Sequence, residues 1–262
     1  MKYQDYNGDP SNDAIVMKNE TVCKGQQKYL LNSAKQLERF QAWMKLHGKK
    51  SDWIAQEFIE TPGSAPCSFR VLVDCTGHIV ASQISYGPPN RMGVKKNKAN
   101  DRDASEDAAK LLEYPDSDFF LDARSIASNH MLVREDDTTI GGRITLNPLP
   151  ISHPYSRVEK DILRAHELDT DLPMLPAKVA GIASGVGRAL GLKGKKVHEL
   201  VLGVDVIQRR GTNQFYVIEA NRRPSMVPIR DLLGSADSIK EVEAWRWLIN
   251  GTLQRVTQMH NQ

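Results

Sequence analysis

Hydrophobic and polar positions along this chain alternate in short strands that are interrupted by stretches of helical spacing. Ala14-Ile15-Val16-Met17 is an apolar run ending at Lys18, and Tyr29-Leu30-Leu31 is a second. Ala34, Leu37, Phe40, Trp43 and Met44 then recur at helical spacing, predicting a helix that starts at a cap on Asn32 or Ser33 and runs to Leu46. Trp53–Ile59 reads as a strand, and Ser68–Asp74 with His78–Ser82 reads as a hairpin around Gly77. A polar stretch over 87–120 follows, helical only near 104–112, and order resumes at Phe119–Ala127. Beyond the proline-rich 148–154, helices are expected over 160–166 and 176–192, the second with an apolar stripe of Val179, Ile182, Ala183, Val186 and Leu190. Two strands, Leu202–Gln208 and Phe215–Asn221, enclose a polar turn containing Gly211, and a final helix spans 238–258.

The last strand pair carries the densest chemistry. Side chains alternate across a strand, so Glu219 and Asn221 share a face. An antiparallel register with Asp205 opposite Glu219 would bring three oxygen-bearing side chains together, with opposed Cβ atoms about 5 Å apart. Two carboxylates and an amide carbonyl are hard donors, too few to enclose an ion alone. That suits Mg²⁺, which takes one or two carboxylates and leaves its other positions to water and substrate phosphates. A half-exposed hairpin with a polar outer face is the plainer reading of the same residues.

The whole segment GVDVIQRRGTNQFYVIEANRRPS resembles the metal-binding hairpin of the ATP-grasp superfamily. In that family Asp, Glu and Asn hold the magnesium ions of bound ATP. The resemblance implies that Asp205, Glu219 and Asn221 bind two Mg²⁺, for which Mn²⁺ can substitute. Other segments are similar in the family's order over about residues 14–230. IVMK, the Gly25 loop and YLLNSAKQLERF resemble the strand, phosphate loop, strand and helix of the first nucleotide-binding lobe, although one glycine stands where several are common. Lys18 would then contact the α- and β-phosphates. Gln56, Glu57, Phe58 and Ile59 resemble the interlobe hinge that binds the adenine edge, with Glu60 near the ribose. Arg70 stands where relatives keep an arginine, while Ser85-Tyr86-Gly87 replaces a further one. Ser128-Asn129 and Gly141-Gly142 resemble a phosphate-contacting feature, which implies Asn129 as a nucleotide ligand. Arg223 occupies the place of the arginine aimed at the reacting acyl phosphate.

The implied fold is α+β, an ATP-grasp nucleotide-binding fold of two lobes with antiparallel sheets and flanking helices. The expected domains are a partial first lobe over 1–55, a second lobe over 56–235 with an insertion at 87–120, and a C-terminal helix over 236–262. Only 17 residues precede Lys18, so the family's N-terminal domain is expected to be missing or supplied by a separate chain. The implied activity is ATP-dependent ligation of a small-molecule or peptide carboxylate to an amine-type acceptor. A small-molecule kinase, a non-catalytic nucleotide-binding module and a lysine-dependent nucleotidyltransferase at Lys18 are the alternatives.

Composition narrows the partners. With 262 residues, 40% hydrophobic and 26% charged, the chain can bury a real core, and a net charge of +3 carries no nucleic-acid footprint. No apolar run approaches the roughly 20 residues of a membrane helix. Cys23, Cys67 and Cys75 lack metal-binding spacing, and an odd count suits reduced thiols in the cytoplasm.

Overall fold

A computed structural model of the chain describes residues 5–10, 14–19, 28–31, 33–47, 53–63, 67–86, 142–147, 155–191, 200–222, 224, 229 and 241–260. The expectations at the Gly25 loop, 87–120, Phe119–Ala127, Asn129, 148–154 and Arg223 lie outside the described residues. The architecture is mixed α and β, with antiparallel sheets and, among the described residues, four helices of two turns or more. The described residues divide between two compact units, one ending at Ile59 and the other comprising 60–86 with 142 onward.

In the first unit, β1 (Ile15–Asn19) lies between β2 (Lys28–Leu31) and β3 (Trp53–Glu57), antiparallel to both. Helix α1 (Ala34–His47) supplies the apolar layer. Ile15, Met17, Leu31, Phe40, Met44, Trp53 and Ala55 form one buried cluster, in which Phe40 meets Trp53 edge-on at 5.1 Å. Strand alternation leaves Val16 and Lys18 on the other face of β1.

The second unit is built on a five-stranded antiparallel sheet in the order β6-β5-β4-β7-β8. Its strands are β4 (Cys67–Asp74), β5 (Ile79–Tyr86), β6 (Gly142–Leu146), β7 (Val201–Gln208) and β8 (Phe215–Asn221). Cys67, Phe69, Val71, Val73, Ile84, Ile144, Leu146, Leu202, Val204 and Val206 form one apolar face. It is covered by Ile162 and Leu163 of α2 (Arg157–Ala165) and by Val179 and Ala183 of α3 (Ala177–Gly191). Helix α2 begins three residues before Lys160 because Ser156 caps it. The Ser156 hydroxyl accepts from the Glu159 N–H, and the Glu159 carboxylate accepts from the Ser156 N–H. Gly187 lets α3 lie close to β4, since a Cβ there would come within 2.7 Å of the Asp74 carbonyl and the Val73 side chain. The α3 stripe departs from expectation at Leu190, which is exposed.

The opposite face of the sheet is divided. Near the β4–β5 turn, Leu72, Val80, Ala81 and Val201 pack with Ile229 and with Ala244 and Leu248 of α4 (Glu241–His260). An ionic anchor fixes that helix. The buried Asp74 carboxylate accepts from the backbone N–H groups of Thr76 and His78, the Thr76 hydroxyl and Arg255 Nε. Most of the rest of this face is polar, with Ile207 as a buried apolar exception on β7.

Candidate functional site

Register alone assembles the polar face. Thr145 on β6 opposes Gln83 on β5, Gln83 opposes Arg70 on β4, Arg70 opposes Asp205 on β7, and Asp205 opposes Glu219 on β8. One row of five polar side chains thus crosses all five strands. Beside it lie Arg143, Ser85 and Ser68, again mutually opposed. Ser68, Arg70, Gln83, Ser85 and Asp205 are buried, while Glu219 and Asn221 are half-buried.

The β7–β8 pairing holds one irregularity that decides the outcome. Gln208–Phe215, Ile207–Tyr216 and Val206–Val217 set one register from the turn, whereas Asp205–Glu219 and Gly203–Asn221 follow another, one residue longer. Ile218 is the extra residue. Continued unbroken, the turn-side register would face Asp205 with Ile218 and turn Glu219 to the helix-covered side. A bulge inserts one residue and so reverses the parity of everything after it. Asn221 lies opposite Gly203, two residues along the same face, where a Cβ on Gly203 would come within 2.7 Å of Pro224.

Arg70 and Asp205 form a two-pronged ion pair. Arg70 Nε donates to Asp205 Oδ1 at 2.8 Å, and Nη2 donates to Oδ2 at 2.7 Å. Burial pulls the Arg70 pKa down, but the hydrogen bond to Asp205 and the charges of Asp205 and Glu219 outweigh it and hold the group above its ordinary value. Arg70 therefore stays charged, and part of the negative charge on β7 and β8 is neutralised within the row.

The donor chemistry fits a hard divalent cation, with two carboxylates and an amide oxygen on one face. Such an ion would meet Asp205 through lone pairs that Arg70 does not use. Among the described residues, no group of three or more His, Cys, Asp or Glu side chains is placed to hold a metal. Ligands beyond Asp205, Glu219 and Asn221 would come from water or substrate.

The other expected contacts divide between the two units. On the first, Lys18 opposes Ile54 and Val16 opposes Gln56, so Lys18 and Gln56 sit diagonally on one face of that sheet. Glu57 ends β3 and is exposed; Phe58 and Ile59 follow it, with the Phe58 N–H donated to the Ala14 carbonyl at 2.9 Å. That N–H is already committed within the sheet's frame. Glu60, in the second unit, pairs with Arg210 at 2.6 Å and accepts its backbone N–H. Ser85 and Tyr86 lie within β5, which is longer than its apolar residues suggested. Sequence reasoning did not single out Gln83 or Ser68. Their signal is polarity at alternate positions in strands that are otherwise apolar.

A scan against models of known protein families finds no match to this chain, and a search of curated proteins finds none. Among the described residues no helix is long and apolar enough to cross a membrane.

Proposed function

We propose that this chain binds Mg·ATP on its polar sheet face and uses it to join a carboxylate to an amine, as the ATP-grasp enzymes resembled by its hairpin do. The observation that carries this reading is the register that faces Asp205 with Glu219 and keeps Asn221 on their side. The three side chains would hold Mg²⁺, which when bound screens the negative charge of the phosphates.

In the first step a carboxylate oxygen of the substrate bonds to the γ-phosphorus as the bond to ADP breaks, giving ADP and an acyl phosphate. The amine nitrogen then bonds to the acyl carbon as the carbon–oxygen bond to phosphate breaks. Phosphate leaves with the electron pair, and the released N–H proton passes to water. Positioning and charge neutralisation are what the protein contributes to such chemistry. Arg70 holds a fixed positive charge inside the row, and Arg223, two residues past Asn221, would face the acyl phosphate.

A second reading, a module that binds nucleotide without turning it over, is favoured by one observation: Arg70 already engages both Asp205 oxygens. ADP release measured against mixtures of carboxylates and amines separates the readings. Ligation requires release that depends on both additives; a kinase needs only one, and a binding module gives none. Arg223→Ala should keep nucleotide binding and lose turnover, and equal loss of both would remove its assignment to the chemical step.

A further inference from the structure

The polar row contains one group that the nucleotide reading leaves unused. Gln83 is 2% exposed, and its Nε2 donates to Ser85 Oγ at 3.3 Å. Its carbonyl Oε1 is buried and has no hydrogen-bond partner among the described residues. An amide oxygen withdrawn from water without a donor is destabilising, and native proteins keep few of them. The nearest cation on the row offers no relief, because Arg70 turns Nε and Nη2 to Asp205 on the other side. An unused acceptor on the face where a ligand is expected calls for a ligand that brings a donor.

The charge pattern narrows the kind of donor. Gln83 directly opposes Arg70, whose charge is paired in turn with Asp205, so a group bonded to Oε1 sits beside a neutralised ion pair rather than an open charge. A neutralised pair offers no counter-charge to an ammonium withdrawn from water beside it, and desolvation then favours the neutral amine. Neutral is also the form whose lone pair can attack a carbonyl carbon. Ser68 and Ser85, buried on the adjacent row, can satisfy further N–H or O–H groups of the same molecule.

We propose that Gln83 receives the N–H of a neutral primary amine, and that this amine is the acceptor in the ligation. The proposal rests on the reading of the same face as a Mg·ATP site. Adjacent strands are about 4.8 Å apart, which places the amine one strand from Arg70 and two from the carboxylate of Asp205. Gln83 is a binding residue here, so its loss should raise the KM for amine and leave kcat nearly unchanged.

Two variants test this on the full chain. Gln83→Met with Ser85→Ala removes the unused acceptor together with its hydrogen-bond partner, and the ligand-free protein should melt about 3 °C higher. Melting at a lower temperature, or failure to fold, would assign the amide to the frame of the sheet and overturn the proposal. The single change Gln83→Met is then compared with the unaltered chain in the presence of Mg·ATP, with the standard amino acids as amine probes at millimolar concentration. At least one probe should stabilise the unaltered chain, with the apparent affinity falling about tenfold or more in the variant. No stabilisation by any probe, or equal stabilisation of both proteins, overturns it. The Mg·ATP shift itself should be the same in both. Its absence from both would remove the nucleotide reading, whereas the ligand-free melting temperatures judge Gln83 separately.

Discussion

Arg70 and Asp205 sit directly opposite each other on neighbouring strands and are joined by two hydrogen bonds, with side chains only 8% and 3% exposed. A buried pair of this kind is costly to break from one side, because the survivor keeps its charge and loses its partner. Arg70→Met should therefore destabilise the second unit by about 3–5 kcal/mol in chemical denaturation, whereas Arg70→Met with Asp205→Leu should recover most of the loss. Equal loss in the single and double variants would mean that the pair holds the sheet by packing rather than by charge compensation.

The anchor of the C-terminal helix is a second point of leverage. Asp74 is fully buried and accepts four hydrogen bonds, one from Arg255 at the far end of α4. Asp74→Ala strands three donors at the β4–β5 turn and should cost about 3 kcal/mol or more. Arg255→Ala leaves those three in place and should cost less, with the difference visible as faster proteolysis within α4 at unchanged global cleavage. Protease protection of α4 that is identical in the Arg255 variant would show that Ala244 and Leu248 hold the helix without the ion pair.

Sequence made much of this legible and hid the remainder for identifiable reasons. The face shared by Glu219 and Asn221 follows from strand parity, and the helix over 177–191 follows from its apolar stripe. Whether Asp205 would meet Glu219 depended on pairing between strands, and the bulge at Ile218 that secures it leaves no mark on a hydrophobic pattern. The Arg70–Asp205 pair joins residues 135 positions apart, beyond the reach of any local signal. Gln83 lies just beyond the strand that the apolar residues predict, which ends at Ser82, whereas pairing with β6 carries β5 on to Tyr86.

His166 supplies a pH-dependent test. Its ring is buried against Phe69 at 5.2 Å, with Nδ1 2.9 Å from Gln208 Oε1. Burial lowers its pKa below the ordinary 6.5, and the Gln208 hydrogen bond only partly opposes the shift. Above pH 6.5 both folded and unfolded chains hold the ring neutral. Below it the unfolded chain takes up a proton that the folded one resists, so stability falls as pH drops, by up to about 1.4 kcal/mol per pH unit until the folded pKa is reached. His166→Phe should flatten the urea-midpoint profile below pH 6.5. An unchanged slope would place the acid sensitivity elsewhere.

The central claim is that oxygen donors on β7 and β8 hold the metal of a bound nucleotide, and calorimetric titration with ATP in the presence and absence of Mg²⁺ tests it most directly. Glu219→Gln and Asn221→Leu are the variants of choice, since both side chains are half-buried and neither takes part in the Arg70–Asp205 pair. The account predicts Mg²⁺-dependent binding to the unaltered chain, weakened about tenfold or more by each change. Binding that is indifferent to Mg²⁺ or to Glu219→Gln, or no binding at all, would contradict it.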